Sequence, residues 1–186
     1  MAERIDRAAS RALWLRASTF QELCELGARF CLGELAHFPG WGVDVLDAES
    51  IELEPVLARL NRSGFLTTCS QPGVDAPERE LRQRAFVAGF ADAAWIEVAR
   101  TRVRAAGLRL AVLEPGAELS ERIPVTIERG LVRVELGAAP HAAEFACFED
   151  DVAPEVLAVL AHMPWVAVWD ERFGASTRLW DALDAR

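Results

Sequence analysis

The residues best suited to chemistry fall between Asn61 and Gly73, in the run Asn-Arg-Ser-Gly-Phe-Leu-Thr-Thr-Cys-Ser-Gln-Pro-Gly. Phe65 to Thr68 is a short run of β-formers. Pro72-Gly73 favours a turn just beyond it. The hydroxyls of Thr67 and Ser70 and the amide of Gln71 therefore crowd one strand end. Such ends, and the loops that follow them, are common places for ligands. The same groups can equally satisfy the backbone of the turn, and the residues alone leave both readings open.

Other constellations narrow the chemistry. The chain has no lysine and no tyrosine, and all 20 of its basic residues are arginine. A lysine Schiff base, a phosphate-loop lysine and a tyrosine acid are therefore excluded. Cys24, Cys31, Cys69 and Cys147 have neither metal-ligand nor redox spacing, and reduced thiols are expected. Cys24 and Cys31 are seven apart on a helical pattern and are expected to behave as small buried hydrophobes. Glu149-Asp150-Asp151 has the composition of a metal cluster, but an acidic run before a helix is read as capping or solvated, so no metal is expected. His37, His141 and His162 lack ligand spacing. Asp44 and Asp47 are read as solvated loop carboxylates. Trp41 can stack on a ring or plug the core. The formal charge of −9 disfavours a nucleic-acid partner and an anionic membrane surface. Met1 to Arg16 has no apolar core run of the kind a secretory leader needs, and no segment reaches the ~20 apolar residues of a membrane span, so a cytoplasmic protein is expected.

The elements that must position these groups follow from periodicity. An amino-terminal arm over 1–17, helical or frayed, precedes a single domain over 18–186. Ser18 with Gln21 reads as a capping box opening a helix to about His37, with Phe20, Leu23, Cys24, Leu26, Phe30, Cys31 and Leu35 on its apolar stripe. Glu49 or Ser50 starts a second helix, with Pro55 near its beginning, and Gly64 ends it. Val74 to Glu80 reads as a polar loop. Arg82 to Phe90 alternates as a strand, with Phe86, Ala88 and Phe90 on one face and Ala85 and Val87 on the other. Asp92 caps a helix ended by Gly107. Leu108 to Leu113 is a strand, and Ile123 to Ile127 with Leu131 to Leu136 is a hairpin turning at Arg129-Gly130. A short strand at Phe145 to Phe148, a helix from Pro154, a strand at Trp165 to Trp169 and a last helix capped by Ser176 or Thr177 complete the chain. Helices and strands interleave without a regular βαβ period. The class expected is α+β (mixed α/β), with mixed sheets layered with helices.

Glu49-Ser50, Asn61-Arg62, Gly64, Leu66-Thr67 and Ser70-Gln71-Pro72, with Gln83-Arg84-Ala85-Phe86 downstream, resemble the regulatory domain of eukaryotic-type methylenetetrahydrofolate reductase. That domain binds S-adenosylmethionine. The similarity is strongest over residues 39 to 113, and weaker at Val125-Thr126 and from Trp165 to Leu183. A family of stand-alone bacterial proteins is similar as well. The resemblance implies ligand contacts from Glu49, Ser50, Thr67 and Ser70, with Thr126 a fifth, and Gln71 beside them. Cys69 stands where the family has asparagine, and the loop at Ala76 to Leu81 is shorter. The family's flavin-binding barrel is absent, so reductase activity is not implied.

The function expected is thus a sensor or accessory protein that binds a small molecule, with S-adenosylmethionine or S-adenosylhomocysteine as ligand and no other cofactor. The alternative is an interaction protein that keeps the fold with a degenerate pocket and meets a protein partner. An enzyme acting on a nucleoside or methyl donor is a third reading, without a visible nucleophile–base pair.

Overall fold

The computed structural model describes residues 4–42, 44–137 and 139–184. Helix α1 (Arg7–Trp14) is capped by the Asp6 carboxylate, and α2 (Phe20–Cys31) by the Thr19 hydroxyl. The capping box is displaced one residue from its expected place. Thr19 accepts from the Glu22 N–H, and the Glu22 carboxylate reaches back to the backbone and hydroxyl of Ser18. α2 also stops at Cys31, short of His37. A 3-10 helix (Ala48–Leu53) leads into α3 (Glu54–Arg62), whose Pro55 occupies the first turn, where its missing N–H leaves no bond unmade.

Strand β1 (Phe65–Gln71) runs three residues further than expected, because Pro72 lies in the turn and not in the ladder. Gly73 makes that turn at φ +83°, and a side chain there would clash with the Gly174 carbonyl. The expected polar loop is instead β2 (Val74–Ala76) and a short 3-10 turn (Pro77–Arg79). There follow β3 (Leu81–Ala91), α4 (Ala93–Ala105) capped by Asp92, β4 (Arg109–Leu113), and the hairpin β5 (Ile123–Glu128) with β6 (Leu131–Leu136). The strand expected at Phe145 to Phe148 does not form. Pro140 starts α5 (Pro140–Ala146) instead, since its fixed φ favours a first helical turn. α6 (Pro154–Leu160), β7 (Trp165–Phe173) and α7 (Thr177–Asp184) close the chain. The class is α+β, and every pairing between these strands is antiparallel.

β3 organises the sheet. Its residues Leu81 to Gln83 pair with β2 and β5, while its later residues pair with β1 and β7. The order along the sheet is β4-β7-β3-β5-β6, with β1 and β2 on the other flank of β3. The period-2 alternation of β3 divides the interior in two. Phe86, Ala88 and Phe90 join Trp165 and Leu66 in a cluster under α1, α2 and α6. Ala85, Val87 and Ala91 join Val166 and Val168 under α3, α4 and α7. The amino-terminal helix is fastened to the first cluster. Trp14 is fully buried, its ring lies 5.1 Å from that of Phe38, and its Nε1 donates to the His37 carbonyl at 3.0 Å.

Candidate functional site

Between α2 and α3 the chain crosses the end of β1 without regular structure over 38–42 and 44–47. Pro39, Gly40, Gly42, Asp44 and Asp47 favour turns there. Below this segment is a cavity of about 30 Å³, lined by Phe30 and Cys31 of α2, Leu57 of α3, Thr67 to Ser70 of β1, and Phe38, Trp41, Asp47 and Ser50 above. Ser50, Thr67 and Ser70 are thus brought together. The Ser50 hydroxyl donates to the Ser70 carbonyl at a long 3.4 Å. Trp41 forms part of the lid and is half-buried. Asp47 lines the cavity, whereas Asp44 faces solvent and pairs with Arg7.

Thr67 is committed to the fold. Asn61, fully buried, donates from Nδ2 to the Thr67 hydroxyl at 2.7 Å and to the Leu57 carbonyl at 2.8 Å, and its Oδ1 accepts from the Thr67 N–H at 3.1 Å. This amide ties the end of α3 to the start of β1. Gly64 makes the sharp connection between them at φ +98°.

The other expected site residues lie elsewhere. Glu49 is exposed on the 3-10 helix and does not line the cavity. Gln71 and Thr126 meet where β3 changes partners. Gln71 Nε2 donates to the carbonyls of Arg84 at 3.0 Å and Val125 at 3.2 Å, and the Thr126 hydroxyl lies 3.3 Å from the same nitrogen. Both side chains are buried, and they join three strands where ladder bonds run out.

A second, larger opening of about 460 Å³ begins on the far side of Cys69. Its floor is Phe86, Ala88 and Trp165 of the sheet, and its walls come from Val134 to Gly137 and from Ala139, Pro140, Ala143 and Glu144. The register shift between Thr67 and Cys69 in the β1–β3 ladder is a bulge that re-aims this stretch of strand, and Cys69 borders both openings. Burial raises the Glu144 carboxyl above its ordinary range, and the Thr68 hydroxyl partly offsets this. Burial, and then the charges of Glu144, Asp47 and Glu49, push the Cys69 thiol up to about 12. The Cys31 thiol is likewise raised to about 12 by burial first and Glu54 second, and burial also raises Cys24 and Cys147. None of the four is poised as a thiolate nucleophile at neutral pH.

Residues 9–186 match the family model of DUF6919, a domain of unknown function. The chain belongs to this family. No curated protein matches it.

Two further polar residues of this DUF6919 chain, Asp151 and His141, are engaged in the fold. Asp151 is buried between Arg11, at 2.5 Å, and His37 Nε2, at 2.9 Å, so the acidic run ends in a clamp on α1. His141 lies 3.0 Å from the Met163 carbonyl and is stacked on Phe145. Among the described residues no group of three His, Cys, Asp or Glu side chains is placed to hold a metal ion, and no helix is long and apolar enough to cross a membrane. Sequence reasoning missed Glu144 and Trp165. The available signal was a single carboxylate inside the short run Pro140–Ala146.

Proposed function

We propose that the chain is a small-molecule-binding protein, a sensor or accessory module without chemistry of its own. The first ligand to try is S-adenosylmethionine or S-adenosylhomocysteine. The observation that carries this reading is the convergence of Ser50, Thr67 and Ser70 beneath Trp41, with Asp47 beside them. Hydroxyls and a carboxylate suit the ribose, amino and carboxylate groups of such a ligand. A space of about 30 Å³ holds a water or two. Binding therefore requires the residues above the cavity, Phe38, Trp41 and Asp47, to move outward. Calorimetry with either nucleoside should give saturable heat, weakened by Ser50→Ala and Ser70→Ala. Absence of heat and of a thermal shift at millimolar ligand rejects the reading.

A second reading has its own support. The cavity is nearly filled, and the Thr67 hydroxyl already serves Asn61. A fold kept with a closed pocket would act through a protein partner. A tight partner recovered by pull-down, with no response to the nucleosides, selects it. The raised thiols leave an enzyme as the weakest reading.

A further inference from the structure

The cleft between α5, β6 and the sheet has polar groups that the fold does not use. Among the described residues, no arginine or histidine pairs with Glu144, and only the Thr68 hydroxyl eases its burial. Trp165, 1 % exposed, forms part of the floor, and its Nε1–H has no acceptor among the described residues. A buried donor without an acceptor and a desolvated carboxyl without a cation are both unfavourable for the folded chain alone. Around them the walls are mostly apolar, with Phe86, Leu136, Val134 and Pro140, and the other lining carboxylate, Glu135, is already paired with Arg122. The negative charges of Glu144, Asp47 and Glu49 all act at Cys69, on the edge of this space. A volume of about 460 Å³ is in the range of small-molecule sites.

We propose that this cleft is a binding site for a small organic cation carried on a flat apolar body, of the arylamidine or arylamine class. The cation pairs with the Glu144 carboxylate, and the ring packs between Phe86, Trp165 and Pro140. The site is independent of the cavity under Trp41, so either proposal can fail without the other.

Benzamidine is the probe, with neutral benzamide of the same shape as its comparison. Indole fluorescence and calorimetry on the full chain should show saturable benzamidine binding, with benzamide roughly tenfold or more weaker, as for loss of a charge-assisted bond. Glu144→Gln should remove that preference. Ala143→Leu, on the exposed wall, should narrow the cleft and weaken both probes. Glu149→Gln, an exposed carboxylate outside the cleft, should change neither. Thermal melts confirm that each variant folds. Equal affinity for the two probes, no binding at millimolar concentration, or unchanged binding in Glu144→Gln or Ala143→Leu overturns the proposal.

Discussion

The two openings on either side of Cys69 differ in what their polar groups are doing. Under Trp41 the hydroxyls are conspicuous and the space is about 30 Å³. Beside α5 the polar groups are few and the space is about 460 Å³. Asn61 and Thr67 next to the first, and Gln71 and Thr126 at the bend of β3, hold backbone groups that the ladders leave over. Glu144 and the Trp165 N–H hold nothing comparable. Polar residues clustered in sequence are here the ones that fasten turns and strand ends. Those left free for a ligand come from distant parts of the chain and become neighbours only through the fold.

If that distinction is right, removing a committed group should destabilise the protein. The largest loss is expected at Asn61. Asn61→Ala deletes bonds to Leu57 and Thr67 in a site with no access to water, and leaves a void against Gly27. Urea denaturation should show a loss of about 4 kcal/mol. A change below about 1 kcal/mol would mean that this amide is not the clamp between α3 and β1.

Asp170 comes next. Burial would raise its carboxyl, but the Arg178 guanidinium, the Arg172 N–H and the Ser176 hydroxyl outweigh this and hold it well below the usual carboxylate range. Asp170→Ala should cost about 3 kcal/mol, and also releases Ser176, the cap of α7. The depressed value fixes the sign of the pH effect. The contribution is complete above the unfolded carboxylate range near pH ~4, and is lost as pH falls through the folded value. Denaturation curves of the parent protein and of Asp170→Ala should therefore converge in strong acid. A constant gap down to the lowest pH would disprove the ionic account. Gln71→Leu is expected to cost less, about 2 kcal/mol, by freeing the Arg84 and Val125 carbonyls. Without a measurable loss, Gln71 would rejoin the candidates for ligand contact.

The division between holding and waiting groups also explains what the sequence could disclose. Alternation placed Phe86, Ala88 and Phe90 opposite Ala85 and Val87, and the two cores divide along that line. Asp92, Gly64 and the hairpin at Arg129-Gly130 were legible because caps and turns are set by residues near in sequence. Phe145 to Phe148 misled because four residues cannot separate a strand period from a helical one, and Pro140 decided it from five positions away. Trp14 looked like part of a charged arm because a single aromatic residue makes no stripe, although it fills the centre of a core. Ser50, Thr67 and Ser70 line one cavity, Glu49 stands outside it, and Gln71 and Thr126 meet where β3 changes partners. The α5 cleft was illegible, since Cys69, Phe86, Leu136, Glu144 and Trp165 share no local pattern.

The smallest effect is the sharpest test of the comparison, because its sign is opposite to the others. Glu144 has its carboxyl raised by burial, so the folded chain disfavours the ionised form of this group. Protons bind more tightly to the folded than to the unfolded state, and stability must fall as pH rises through the folded value. Glu144→Gln keeps the shape and removes the charge. At pH 7 it should raise stability by about 0.5–1 kcal/mol, the range found when a functional group is traded for stability. The gain should vanish below the unfolded glutamate range, near pH ~4, where both forms are neutral. Paired denaturation curves at neutral and acidic pH measure both quantities. A loss of stability at pH 7 would show that Glu144 is one more committed group, and the contrast between the two openings would reduce to their size.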